Sequence, residues 1–206
     1  MSVIELAHEH WVGRRRARVL ADRLAILLPP RGEVLDVGCG DGAISATLAR
    51  RRSDLSFEGV DVLVRDAVGI PTKRFDGETL PFADRQFAAV MLVDVLHHTD
   101  DPMILLREAR RVARESILIK DHLVEGFLAE PTLRFMDRIG NRRHGVVLPY
   151  NYWASDRWAA AVEELDVRVE VWDGTLGLYG FPAGLLFERR LHFMARLRPS
   201  PDGVSE

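Results

Sequence analysis

Cysteine occurs once in the 206 residues, at Cys39, so no disulfide can form within the chain. That usage suits a reducing compartment, and a cytoplasmic location is the expectation. Long apolar runs are missing too. Runs such as 90–93 fall far short of the roughly 18 apolar residues that suggest a membrane span, so no span is expected. The opening MSVIELAHEH has neither the basic start nor the apolar core of a signal peptide. Charge of one sign is not in excess: the formal balance is -3, which leaves no global electrostatic footprint for nucleic acid. Repeats and low-complexity tracts are absent, and only the tail 199–206, with Pro199, Pro201 and Gly203, reads as loose. What is present is a globular balance of 47% apolar and 29% charged residues, enough to bury a core without staples. The length fits one domain, 1–206, expected as a monomer or homodimer.

Residues 14–28 place Ala17, Leu20, Leu24, Leu27 and Leu28 at helical spacing, and Pro29-Pro30 stop the helix. Residues 1–30 read as an N-terminal helical flap, with Arg14, Arg15, Arg16 and Arg18 on a solvated face. Beyond Pro30 the pattern alternates: strand 34–37, helix 43–52, strand 57–62, a short strand 73–75 and a continuously apolar strand 87–95. A helix over 103–113, opened by Asp101-Pro102, and a strand over 116–120 follow. This order predicts an α/β fold, a parallel sheet with helices on both faces. Helices are expected over 128–139 and 155–165, and strands over 167–172 and 191–197. The last two are joined by a long connection holding Gly174, Gly177, Gly180, Pro182 and Gly184.

The most informative stretch is EVLDVGCGDG, residues 33–42. A strand runs into Gly38, Gly40 and Gly42, and a helix follows. Glycines let the backbone turn sharply and approach a ligand, and the helix-start amides point at whatever sits there. Asp61 stands 19 residues beyond Gly42, at the end of the second strand, where a carboxylate can take both hydroxyls of a ribose. These features alone also fit a nicotinamide dinucleotide, since Gly38, Gly40 and Ala43 match that fingerprint. Two features favour S-adenosylmethionine. Asp36 lies inside the first strand, where a buried carboxylate needs partners; it can accept from the glycine-loop amides and sit near the donor's ammonium. FDGETLPF, residues 75–82, places an acid after the third strand, where it can take an adenine amino group.

In order along the chain, VLDVGCGDG, GVD, DGETLPFADRQF, VDVLHHTDDP and LLREARRV resemble the class I S-adenosylmethionine-dependent methyltransferases, most closely the quinone-biosynthesis type. The resemblance spans residues 33–112, about 40% of the chain. It implies a Rossmann-like three-layer sandwich with a seven-stranded, mostly parallel sheet whose last strand, 191–197, is antiparallel. It implies S-adenosyl-L-methionine as the cofactor and assigns roles. Gly38, Gly40 and Gly42 pass the methionine part, Asp61 binds the ribose and Val62 lies on the adenine. Asp76 takes the adenine amino group with Gly77 beside it, and Asp94 borders the amino-acid end. Ala88 departs from the aspartate frequent there in the family, at a position that is no donor contact. The stretch 63–75, with Gly69 and Pro71, has little space for a crossover helix, so an irregular connection is expected.

Methyl transfer mainly requires alignment of two reactants, which can supply roughly 7–11 kcal/mol; a base is needed only if the acceptor must lose a proton. His97 and His98 follow the fourth strand, Asp121 and His122 the fifth, at the ends where an open parallel sheet binds ligands. His122, His98 and Asp121 are therefore the candidate catalytic residues, against the alternative that each caps or packs. No metal is expected, because the adjacent rings of His97 and His98 do not share a face and no other ligand is near in sequence. Residues 138–153, with His144, Tyr150, Asn151, Tyr152 and Trp153, are the candidate acceptor cover, and Trp11, His8 and His10 a candidate donor flap. The expected partner is a small-molecule acceptor, since no appended domain grips a macromolecule. The alternatives are a donor-binding protein without turnover and a nicotinamide-dependent oxidoreductase.

Overall fold

The computed structural model describes residues 3–65, 69–141 and 149–200, with side chains from residue 15 onward except that of Asn141. Seven strands form one sheet in the order β3-β2-β1-β4-β5-β7-β6. β1 (Gly32–Val37), β2 (Leu55–Asp61), β3 (Thr72–Arg74), β4 (Phe87–Val93) and β5 (Ala113–His122) run parallel. β7 (His192–Pro199) lies antiparallel between β5 and β6 (Val167–Asp173), as expected of the last strand. It extends through Pro199, and Ser200 then bonds to Asp166; residues 201–206 of the tail lie outside the described residues.

Period-two alternation divides each central strand between two layers. Leu35, Val37, Val90, Leu92, Ile117 and Ile119 face α3 (Pro102–Val112) and α5 (Ser155–Glu164) through Leu105, Leu106, Ala109, Trp158 and Ala161. Val34, Ala89, Met91, Leu118 and Met194 face α1 (Val3–Leu27) and α2 (Ala43–Arg51) through Leu20, Leu24 and Leu48. This is why 87–93 reads FAAVMLV: a central strand covered on both faces has no polar side to alternate with. Each fully buried aliphatic side chain contributes about 1.5–3 kcal/mol. Asp101 caps α3 by accepting from the Met103 amide at 3.0 Å, with Pro102 in the first turn.

The β2–β3 connection carries no helix among its described residues. Instead Gly69 donates to Asp41 O at 2.9 Å, and a Cβ on Gly69 would stand 2.8 Å from the Ala46 Cβ. The short segment folds back onto the start of α2, where a longer connection would place a helix. No described helix is long and apolar enough to cross a membrane.

Candidate active site

Sheet order reverses between β1 and β4, and the loops at the carboxyl ends of β1, β2, β4 and β5 surround that point. Gly38, Gly40 and Gly42 have φ of 69°, 60° and 67°, values that side-chain-bearing residues rarely adopt. At Gly38 space is limiting as well: a Cβ would lie 2.5 Å from a Val95 methyl. At Gly40 the nearest atom is the Arg65 guanidinium at 3.7 Å, so the requirement there is conformational. The Gly40 amide donates to Asp61 Oδ2 at 2.8 Å, and the Leu63 amide donates to Asp61 Oδ1 at 2.9 Å. One carboxylate thus ties the end of β2 to the glycine loop.

Asp36 is buried and accepts from Ser45 Oγ at 2.6 Å, the hydroxyl of the first turn of α2. The expectation paired Asp36 with the loop amides; its partner in the structure is this hydroxyl, while Gly40 N turns to Asp61. Burial pushes the Asp36 carboxyl up to about 7, an effect the Ser45 bond only partly offsets.

The segment DGETLPF turns on Asp76, which accepts from the amides of Thr79 at 2.7 Å and Glu78 at 2.8 Å. These bonds hold its carboxyl below the usual range. Gly77 has φ 94°, and its Cβ would meet Val62 Cγ1 at 3.2 Å, so Val62, Asp76 and Gly77 converge from two strand ends. α3 braces the segment from below. Glu108 accepts from the Leu80 amide at 2.8 Å, and Arg111 donates to Leu80 O, Phe82 O and Asp84 at 2.8–2.9 Å. That brace is the physical link between the DGETLPF and LLREARRV motifs.

Asp94, at φ 57° beyond β4, departs from the expected picture of a carboxylate open to a ligand. It forms ion pairs with Arg16 of α1 and with Lys120 of β5. Burial by itself would raise its pKa; Arg16 and Lys120 outweigh that and hold it well below the usual range. Arg16 is therefore not on a solvated face. Helical periodicity carries no signal for such a contact, because its partner lies 78 residues away. Lys120 is 0% exposed, directly after the buried Ile117, Leu118 and Ile119, where an ammonium needs a partner.

Beside Asp94 lies a buried polar cluster. Asp121 accepts from His97 Nδ1 at 2.5 Å, from the His122 amide at 2.7 Å and from the Leu96 amide at 3.0 Å. With three N–H donors it is an orienting group. His122, 4% exposed, contacts His192 between Nδ1 atoms at 3.0 Å. His192 Nε2 donates to the Phe187 carbonyl at 2.9 Å. Burial, then Lys120, pushes both His122 and His192 well below the usual histidine range. His97 is raised, because Asp121 and Asp137 outweigh its burial. Asp137, from α4 (Ala129–Asn141), also accepts from the Tyr152 hydroxyl.

His98 is half-buried, with its ring 4.0 Å from that of His97. Its Nδ1 is buried without a hydrogen-bond partner among the described residues, and burial followed by His97 lowers its pKa. Asn151 donates to Thr99 O at 3.1 Å and Asp100 O at 3.0 Å, which fastens 150–153 over the turn that carries His97 and His98. This sets Tyr152 against His97 and His122, with ring centroids at 5.6 and 5.8 Å. His144 and the rest of 142–148, and the side chains of Trp11, His8 and His10, lie outside the described residues. The structure thus unites His97, His98, Asp121, His122 and Tyr152, and adds Asp137 and His192, which no nearby motif marked.

Residues 35–118 match a family model described as a methyltransferase domain. The chain is 29% identical over 110 residues to 27-O-demethylrifamycin SV methyltransferase of Amycolatopsis mediterranei (strain S699), covering 46% of this chain and 40% of that protein. It is 30% identical over 156 residues to the methyltransferase GfsG of Streptomyces halstedii, covering 63% of this chain and 55% of that protein. It thus spans well under two thirds of the length of these curated relatives. A crystal structure of the PH0226 protein from Pyrococcus horikoshii OT3 shares the fold, with TM-score 0.67 at 19% identity over 91% of both chains. The glycine loop and the strand-end acids Asp61 and Asp76 all lie within the segment that matches the methyltransferase domain.

Proposed function

We propose that this protein transfers a methyl group from S-adenosylmethionine to a small-molecule acceptor. The observation that carries the reading is the Asp61–Gly40 bond, which fixes a ribose-binding carboxylate against the glycine loop. In this reading Gly38, Gly40 and Gly42 pass the methionine part, Asp61 takes the ribose hydroxyls, and Val62, Asp76 and Gly77 border the adenine. Asp36 supports the loop through Ser45. The donor's amino acid is a zwitterion, and the Arg16–Asp94 pair offers one group of each sign to it. The sulfonium supplies an activated methyl carbon; the chain's residues align the acceptor with it and exclude water.

The acceptor side is the cluster beyond β4 and β5. His98 presents a buried, unpartnered ring nitrogen and is the candidate base, while His122 and Asp121 act from beneath it. The rim formed by α4, α6 (Gly184–Phe187) and the residues just before each exposes Phe127, Phe135, Phe181 and Leu185, which supports an acceptor with an apolar body. Calorimetry should show binding of S-adenosylmethionine and S-adenosylhomocysteine and none of NAD. Asp61→Ala should weaken donor binding by roughly 10–100-fold, as for loss of a charged hydrogen bond of about 1.5–3 kcal/mol. Absence of donor binding by the wild-type chain would overturn the proposal. Donor binding without turnover across an acceptor screen that includes quinol and demethylrifamycin hydroxyls would instead indicate a donor-binding partner protein.

A further inference from the structure

The buried cluster contains two contacts of unusual length. His97 Nε2 stands 3.4 Å from Asp137 Oδ2, and His122 Nε2 stands 3.6 Å from Asp137 Oδ1. A direct N–H···O bond to a carboxylate closes to about 2.7–2.9 Å, as His97 Nδ1 does on Asp121 in the same cluster. Two ligand atoms about 2.0–2.1 Å from one tetrahedral ion lie roughly 3.3 Å apart. The two longer contacts have the spacing of ligands that share an ion.

The tautomers point the same way. The Phe187 carbonyl can only accept, so His192 carries its proton on Nε2 and offers a lone pair at Nδ1. His122 Nδ1 faces that lone pair and must be the donor. In a neutral ring this leaves His122 Nε2 bare, facing Asp137 at 3.6 Å and Asp94 at 3.7 Å. Asp94 is already paired with Arg16 and Lys120, whereas the lone pair aimed at the Asp137 carboxylate is repulsive unless a cation lies between them. On His97 the proton goes to Asp121, which leaves its Nε2 pointing at the same place. Histidine ligands are commonly oriented in this way, with the far nitrogen donating to a carboxylate or carbonyl.

We propose that His97, His122 and Asp137 form a site for one divalent first-row transition-metal ion of the zinc type. Asp121 and His192 orient the two imidazoles, and the Tyr152 hydroxyl orients the carboxylate. Asp121 is a second carboxylate at this place, with a ligand atom within 4.8 Å of those of His97 and His122. Its oxygens are already taken by three N–H donors, which makes it the outer partner. Two histidines and a carboxylate are a common ligand set for zinc or iron(II), and three protein ligands leave a position for an oxygen ligand. The ligands come from three separate elements, which the sequence expectation of no metal, weighed on the adjacent pair His97 and His98, could not take into account.

The test uses the full chain stripped with a chelator and titrated with Zn(II) or Co(II), read by calorimetry and by the visible absorption of bound cobalt. One ion per chain with a tetrahedral or five-coordinate cobalt spectrum is expected. Asp137→Asn, which keeps an acceptor for Tyr152, and His122→Gln should abolish stoichiometric binding. Asp121→Asn should weaken it by about 10–100-fold. No stoichiometric ion in the wild-type chain overturns the proposal, whatever the variants do. So does wild-type affinity in a folded Asp137→Asn protein. Binding of S-adenosylhomocysteine to the stripped protein is measured in parallel; it is expected to persist, so loss of the metal reading would leave the donor reading intact.

Discussion

At the scale of single residues, charge placement dominates the site. Arg16 is the partly exposed cation paired with Asp94 at the proposed amino-acid end of the donor, and Asp94 raises its pKa, so it stays charged. Arg16→Met should weaken S-adenosylmethionine binding by roughly 10–100-fold, the loss of one charge-assisted bond. Calorimetry with unchanged affinity in the folded variant would leave Arg16 a purely structural partner of Asp94. Asp36 gives a pH prediction. Its folded pKa, about 7, lies above the ordinary aspartate value of 3.8, so the folded state holds the proton more tightly. The stabilisation from this group is therefore complete below pH 3.8 and is lost as pH rises towards about 7. The full effect is at most ~4 kcal/mol. Asp36→Asn should remove that downward slope in a plot of unfolding free energy against pH. A slope unchanged by the substitution would mean that Asp36 is ionised throughout.

At the scale of elements, α1 is held by apolar contact more than by charge. Leu24 is fully buried between α1 and the sheet, while Arg23 reaches Asp173 at 2.5 Å from a position 36% exposed. Leu24→Ala should cost about 2–5 kcal/mol by chemical denaturation. Arg23→Met should cost no more than about 1 kcal/mol, because an exposed pair is screened by water and salt. Equal losses would show that the ion pair, and not the buried face, fastens the helix. The helices themselves were legible in the sequence. Leu20, Leu24 and Leu28 recur at helical spacing, and Asp101-Pro102 marks a start that the structure confirms at α3. The apolar spacing marked only 14–28; the helix itself runs back to Val3, within the 1–30 stretch read as a helical flap.

For the whole molecule, the sheet order brings β1, β4 and β5 side by side at the centre and leaves their carboxyl ends facing one region. A ligand that binds there and not to the unfolded chain must stabilise the entire fold. At S-adenosylhomocysteine concentrations of 100 times Kd the gain is about 2.7 kcal/mol. For a chain of this length that corresponds to a rise in Tm of roughly 5–10 °C. NAD at equal concentration should leave Tm unchanged. A rise with NAD and none with S-adenosylhomocysteine would contradict the donor assignment.

The sequence by itself determined the strand-and-helix alternation, the glycine loop and the positions of the strand-end acids Asp61 and Asp76. These are local: each depends on neighbours within a few residues or on one strand end following another at regular spacing. Only the tertiary structure decided which partners are found. Ser45 rather than a loop amide meets Asp36, Arg16 and Lys120 converge on Asp94, and Asp137 and His192 join His97 and His122. The physical reason is that side-chain pairing is set by how the elements pack. Contacts such as His122–His192 and Arg16–Asp94, 70 and 78 residues apart, leave no periodicity or motif in the sequence, and they form only when the sheet order closes the chain on itself.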